Sequence, residues 1–235
     1  MVQYVKGAWG SCVMMIRFTL GFFLILLGFS AFAMAEGASG SYREGLLHTL
    51  LGLDHLIAMI AVGLISSQIG GRAVWQVPFV FVMALVLGGV TGLIWPAGDA
   101  REWILSTSEP VIMLSDLALA LAIIWAPLAH RSYEQAKVPL SISLLIIIFG
   151  LFHGFAHGGE IPDGAVPTFY VLGFATTSAL MHILGVGIGE IARAFQQPRV
   201  ARGICAAVLL GISIPYQVDF WNTIMPGVVL EIFKF

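Results

Sequence analysis

The sequence predicts an all-α protein, a polytopic membrane bundle of six transmembrane helices that follows an N-terminal signal peptide. Three observations lead to this prediction. Of the 235 residues, 59% are hydrophobic and only 10% are charged, whereas soluble domains carry roughly a quarter charged residues. Six apolar stretches come close to the ~20 residues that a helix needs to cross a bilayer. A further apolar stretch near the N-terminus follows basic residues.

The N-terminal segment, residues 1–35, is predicted to be a signal peptide. Lys6 and Arg17 precede an apolar run over residues 18–33, and an Ala-Met-Ala sequence ends at Ala35. A basic region, an apolar region and an A-x-A site in this order are typical of secretion signals. We therefore expect cleavage after Ala35. Retention of the segment as a membrane anchor, the alternative, would give the same topology.

Residues 36–235 are predicted to form a single transmembrane domain. Trp75 and Trp95 bracket the second stretch, and Trp103 and Trp125 lie near the ends of the third, as interfacial aromatic residues do. The connections are short and contain most of the glycine, proline and charge. In chain order, the six predicted spans are residues 44–68, 75–95, 109–129, 139–158, 167–192 and 201–219.

The distribution of positive charge predicts the orientation. Lys and Arg accumulate in cytoplasmic loops, and most of them here follow the first, third and fifth spans. Both ends of the mature chain are therefore expected outside the bacterial inner membrane. The formal net charge of −2 offers no basic face for nucleic acid, so the expected surroundings are the lipid bilayer. Cys12 and Cys205 lie in different passages and predict neither a disulfide framework nor a thiolate metal site.

Ionisable side chains inside spanning helices cost about 2.5–3.5 kcal/mol each on insertion scales, so each is a candidate functional residue. In the predicted topology most of them gather near the outer side of the membrane. They lie in the outer half of the first span, at the start of the third and at the end of the fourth: His48, Asp54, His55, Glu109, His153, His157 and Glu160.

The residues of the fourth span share one helical stripe. At about 100° per residue, His153 and His157 are about 40° apart, and Glu160 falls within about 20° of His153. Such a His pair with a carboxylate is a ligand set for a divalent metal ion. In the first span, His48 and His55 would lie about 10 Å apart along a straight helix. Either this helix unwinds near Gly52 so that both histidines can bind one ion, or His48 forms a binding position separate from that of Asp54 and His55.

Three polar residues have a plain structural interpretation beside the functional one. Glu109 precedes a proline and could simply favour a helix start. Asp116, seven residues further on the same face, could continue a polar path or pair internally. His182 could be a hydrogen-bonded packing residue. All three are possible path residues.

At these positions the sequence resembles the HupE/UreJ family of membrane nickel and cobalt transport proteins. A His separated by five residues from Asp-His matches His48, Asp54 and His55. The motif Phe-His-Gly-x-Ala/Val-His-Gly-x-Glu is matched in full over residues 152–160. The resemblance covers essentially the whole chain. Thr49 stands where family members commonly have Pro after the first motif histidine.

The resemblance implies uptake of Ni²⁺ or Co²⁺, with the motif residues as ligands or relay groups and Glu109 as the family's acidic residue on the third span. The metal is then a transported ion, with no permanent cofactor and no enzyme activity. Zn²⁺ accepts the same nitrogen and carboxylate ligands. Three alternatives remain open from the residues alone: an intramembrane metal-dependent hydrolase, a b-type haem protein with axial histidines, and a pure metal sensor or chaperone.

Overall fold

The structure is a computed structural model of the chain. It describes residues 28, 39–96, 98–125, 138–159, 161–162, 164–194, 199–200, 203–204, 206–211, 214 and 218. Apart from Gly28, the predicted signal peptide lies outside this part, as does Glu160; of Asp54 and Glu109 only the backbone is described. All regular secondary structure of the described residues is helical, which confirms that the fold is all-α.

In the described residues from Ser39 to Ala194, the structure has six helices, and short helical pieces follow after residue 198. They are α1 Ser39–Leu51, α2 Leu53–Ile69, α3 Ala73–Ile94, α4 Asp99–Trp125, α5 Leu140–Gly159 and α6 Pro167–Ala194.

Within the described chain, three helices are long and apolar enough to cross a membrane: α3, α5 and residues Pro167–Arg193 of α6. They coincide with the second, fourth and fifth predicted spans. The first predicted span is a broken pair, Gly40–Leu51 and His55–Ile69, whose two parts meet at 77°. The sequence left open whether this span unwinds near Gly52 or runs as one straight helix. In the structure it is broken at Gly52. The third and sixth predicted spans, 109–129 and 201–219, contain residues outside the described part.

Helices α3 and α5 pack most extensively against each other. Their backbones approach so closely that a side chain on Gly154 or Gly158 of α5 would meet the backbone of Leu85 or Gly89 of α3. In the same way, a side chain on Gly88 of α3 would meet the backbone of Leu151 of α5. Small residues at four-residue spacing permit this packing in membrane helices, and it holds the histidine end of α5 against α3.

Helix α6 packs along both halves of the broken span. Tyr42 donates a hydrogen bond to Thr176 at 3.1 Å, and the Thr177 hydroxyl donates to the carbonyl of Leu46 at 3.0 Å. At the other end, the Arg193 guanidinium donates to the carbonyl oxygen of Ser67 at the end of α2. These contacts fix both α1 and α2 on one helix, so the bend between them is held by tertiary structure.

Candidate metal centre

Three histidines from three helices converge at the broken span. They are His48 of α1, His55 of α2 and His157 of α5, and one ring nitrogen of each lies within 4.8 Å of those of the other two. The ring centroids of His48 and His55 are 5.8 Å apart, and that of His157 is 4.6 Å from the first and 4.7 Å from the second. His157 is buried, and the other two are half-buried.

The break at Gly52 brings His48 and His55 together. Gly52 has an extended backbone with φ −79° and ψ 106°, and its carbonyl accepts a hydrogen bond from Leu56 at 2.9 Å as α2 begins. On a straight helix the two histidines would be about 10 Å apart along the axis, too far to bind one ion. Broken membrane helices provide ion sites in transporters by the same means.

Substitution of Gly52 tests whether the break supports metal binding. Alanine is better than glycine in a helix by about 1 kcal/mol, so Gly52→Ala should favour a continuous helix and lower the affinity for Ni²⁺ by up to about fivefold. The nickel affinity of Gly52→Ser should lie between those of the wild type and Gly52→Ala. Calorimetric titration of the purified protein measures this order; equal dissociation constants for all three proteins would contradict it.

His153 lies directly beside these three histidines. Its ring centroid is 4.7 Å from that of His55 and 4.9 Å from that of His157. It is fully buried, and neither ring nitrogen has a hydrogen-bond partner among the described residues. Its opposite side faces aromatic rings, with Phe149 at 5.4 Å and Phe81 at 6.4 Å. The four rings therefore form one group that ends against an aromatic layer.

Helix α6 closes the group with two aromatic residues that the sequence interpretation missed. The Phe174 ring is 4.5 Å from that of His157 and 5.8 Å from that of His153. The Tyr170 ring is 6.0 Å from that of His48. Tyr170 and Phe174 are four residues apart in the sequence and therefore share a helix face. In a membrane helix, however, two aromatic residues at this spacing ordinarily indicate packing.

The remaining candidates are placed as follows. The side chains of Asp54 and Glu109, and all of Glu160, lie outside the described residues. Asp116 and His182 are buried within α4 and α6, but neither belongs to the group of three nitrogen ligands.

The chemistry of the described group suits a borderline divalent cation. Neutral imidazoles bind Ni²⁺, Co²⁺ and Zn²⁺ well, whereas Ca²⁺ prefers oxygen ligands and Cu⁺ prefers sulfur. Three imidazoles leave coordination positions for water or a nearby carboxylate. Aromatic rings pack against His153 and this histidine is fully buried, so an ion on that side of the group would depend on protein ligands.

Comparisons with known proteins agree with this chemistry. The family model described as HupE / UreJ protein matches residues 22–214. Protein HupE of Rhizobium leguminosarum bv. viciae is 35% identical over 167 residues, which are 71% of this chain and 79% of that protein. No solved structure matches the chain. Members of the family are linked to nickel and cobalt transport and are not enzymes. The chain belongs to the HupE/UreJ family of nickel- and cobalt-transport-associated membrane proteins.

Proposed function

We propose that the protein is a permease that takes up Ni²⁺ or Co²⁺ across the membrane through a path lined by histidine and carboxylate side chains. The observation that carries this proposal is the convergence of His48, His55 and His157 from three separate helices within ligand distance of one another. A site assembled from three helices can open and close as these helices move, which a transport site requires. It must bind well enough to remove water from the ion and still release it.

The ion would enter from the exterior side. Positive charge in alternate loops supports a multi-pass arrangement in the inner membrane with both mature ends outside. In this arrangement the three histidines lie toward the outer face, and His153 lies on their deeper side. Zn²⁺ is a possible competitor because its ligand preference is similar.

Carboxylates would complete the path. Asp54 directly precedes His55 on α2, and Glu160 follows the end of α5, so both are close in sequence to the described histidines. On α4, Glu109 near the outer side and Asp116 seven residues further along are additional candidates for the path. A carboxylate would balance the charge of a dication in a region that holds few charged residues.

Accumulation of radioactive nickel or cobalt in cells tests the proposed function. Cells that express the wild-type chain should accumulate the ion above an empty-vector control, and Asp54→Ala should reduce accumulation toward that control. Met83→Leu, on the exposed face of α3, is the matched control for expression and should behave as wild type. Accumulation at the vector level by the wild type would refute the permease.

A further inference from the structure

One face of α6 carries four buried residues at four-residue spacing: Tyr170, Phe174, Ser178 and His182. Residues four apart on a helix lie on the same face, one above another. The first two contact His48 of the candidate metal centre. The other two therefore continue along the same face of α6, away from the metal centre and toward the opposite end of the bundle.

His182 and Ser178 are polar groups that protein interiors rarely leave without a partner. Both are fully buried. Neither ring nitrogen of His182, nor the Ser178 hydroxyl, has a hydrogen-bond partner among the described residues. Buried polar atoms are almost always hydrogen-bonded, so an exception calls for an explanation such as an absent ion or water. One turn of helix separates an imidazole nitrogen and a hydroxyl oxygen, and both can bind a divalent cation.

This pair is distinct from the candidate metal centre. His182 is eight residues beyond Phe174, which is about 12 Å along the helix axis, so one ion cannot be bound by His157 and His182 together. Phe81 contacts a histidine of each region. Its ring centroid is 6.4 Å from that of His153 and 4.9 Å from that of His182. The Phe81 ring therefore adjoins both the metal-centre side, at His153, and the side of His182.

We propose that His182 and Ser178 form a second, deeper binding station for the same divalent cation, which receives the ion from His153 past the Phe81 ring. The inference rests on the proposed function and extends it to the inner half of the path. With two protein ligands, the ion at this station keeps part of its water. A station that holds the ion more weakly than the three histidines favours onward movement, since conduction requires binding sites that also release.

The competing interpretation is that the His182 ring only packs against the Phe81 ring, while the backbone carbonyl of His182 lies close to Gly63. The two interpretations predict different effects when His182 is replaced by an apolar residue. A packing histidine can be replaced by leucine with a change in stability alone. A ligand cannot, because leucine has no lone pair to offer the ion.

The first experiment compares uptake in cells with binding to the purified, detergent-solubilised protein. For His182→Leu and Ser178→Ala, we expect nickel binding at the three histidines within about twofold of wild type. Uptake should fall at least about tenfold for His182→Leu, since loss of groups that only orient metal ligands already costs about 10–100-fold, and by less for Ser178→Ala. Met181→Leu, a volume-conserving change beside His182, should leave both unchanged.

The second experiment asks whether position 182 touches the ion. A thiolate is a softer ligand than an imidazole, so His182→Cys should raise uptake of Cd²⁺ relative to Ni²⁺ several-fold. A residue with a purely structural role would change both ions equally. This ratio also decides the matter if His182→Leu does not fold, because cysteine is small and His182→Cys needs only to retain measurable uptake.

Four outcomes overturn the inference. Wild-type uptake by His182→Leu, or an unchanged ion ratio in His182→Cys, removes the second station while the permease stands. Loss of nickel binding at the three histidines together with uptake makes His182 a positioning residue. Absence of uptake by the wild type refutes the permease itself and the second station with it.

Discussion

Replacement of His157 by alanine is expected to lower the affinity of the purified protein for Ni²⁺ or Co²⁺ by at least about 100-fold, since groups that only orient metal ligands already contribute about 10–100-fold. His157 is the contribution of α5 to the group of three, and it is buried between the two histidines of the broken span and Phe174. Without it, the group of three keeps only the ring nitrogens of His48 and His55. Equilibrium dialysis with the detergent-solubilised protein measures the loss.

The same measurement shows whether the three histidines act as one site. Ligands of one ion are strongly non-additive, so His48→Ala combined with His157→Ala should cost much less than the product of the two single effects. Ser143→Ala, on the exposed start of α5, is the control and should bind as wild type. Single losses of less than about threefold, or fully multiplicative losses, would contradict a shared site.

A methyl group at Gly154 is expected to destabilise the protein by about 1–3 kcal/mol, the usual cost of overpacking. A Cβ atom there would fall on the carbonyl oxygen of Leu85 and close to the amide nitrogen of Gly89, both backbone atoms of α3 that cannot move aside alone. Because Gly154 adjoins His153, the separation of α3 from α5 should also weaken metal binding. Thermal unfolding of Gly154→Ala in detergent, with and without Ni²⁺, measures both effects.

Gly187→Ala is the matched control for Gly154→Ala. It makes the same chemical change within the membrane helix α6, but a Cβ at Gly187 meets no atom of the described residues within 4 Å. Alanine is favoured over glycine in a helix by up to about 1 kcal/mol, so this variant should be as stable as wild type or slightly more so. Equal unfolding temperatures for Gly154→Ala and Gly187→Ala would show that α3 and α5 are not in contact as described.

Much of the fold follows from local sequence. The apolar stretches that became α3, α5 and α6 are recognisable because a helix that spans lipid needs about 20 apolar residues, whatever its neighbours are. The relation between His153 and His157 also follows locally, since a spacing of four places two side chains on one helix face. These features depend on the geometry of a single helix, which the order of residues defines.

The candidate site was only partly predictable. The sequence predicted that His48, His55 and His157 lie near the same outer level, but left open whether His48 could join the other two. That depends on the 77° bend at Gly52, and α6 fixes both arms of this bend through hydrogen bonds to Tyr42, Leu46 and Ser67. The contacts join residues more than 120 positions apart, which no local pattern contains.

The sequence by itself determined an apolar, helical membrane protein with a family-specific set of histidines and carboxylates, because composition and helical spacing are properties of short segments. Only the tertiary structure decided which histidines meet, that Phe174 packs against them and Phe81 against His153 and His182, and that Ser178 and His182 are fully buried. The physical reason is that a binding site is a set of distances between helices, and these follow from the packing of glycine faces and from one break in the first span.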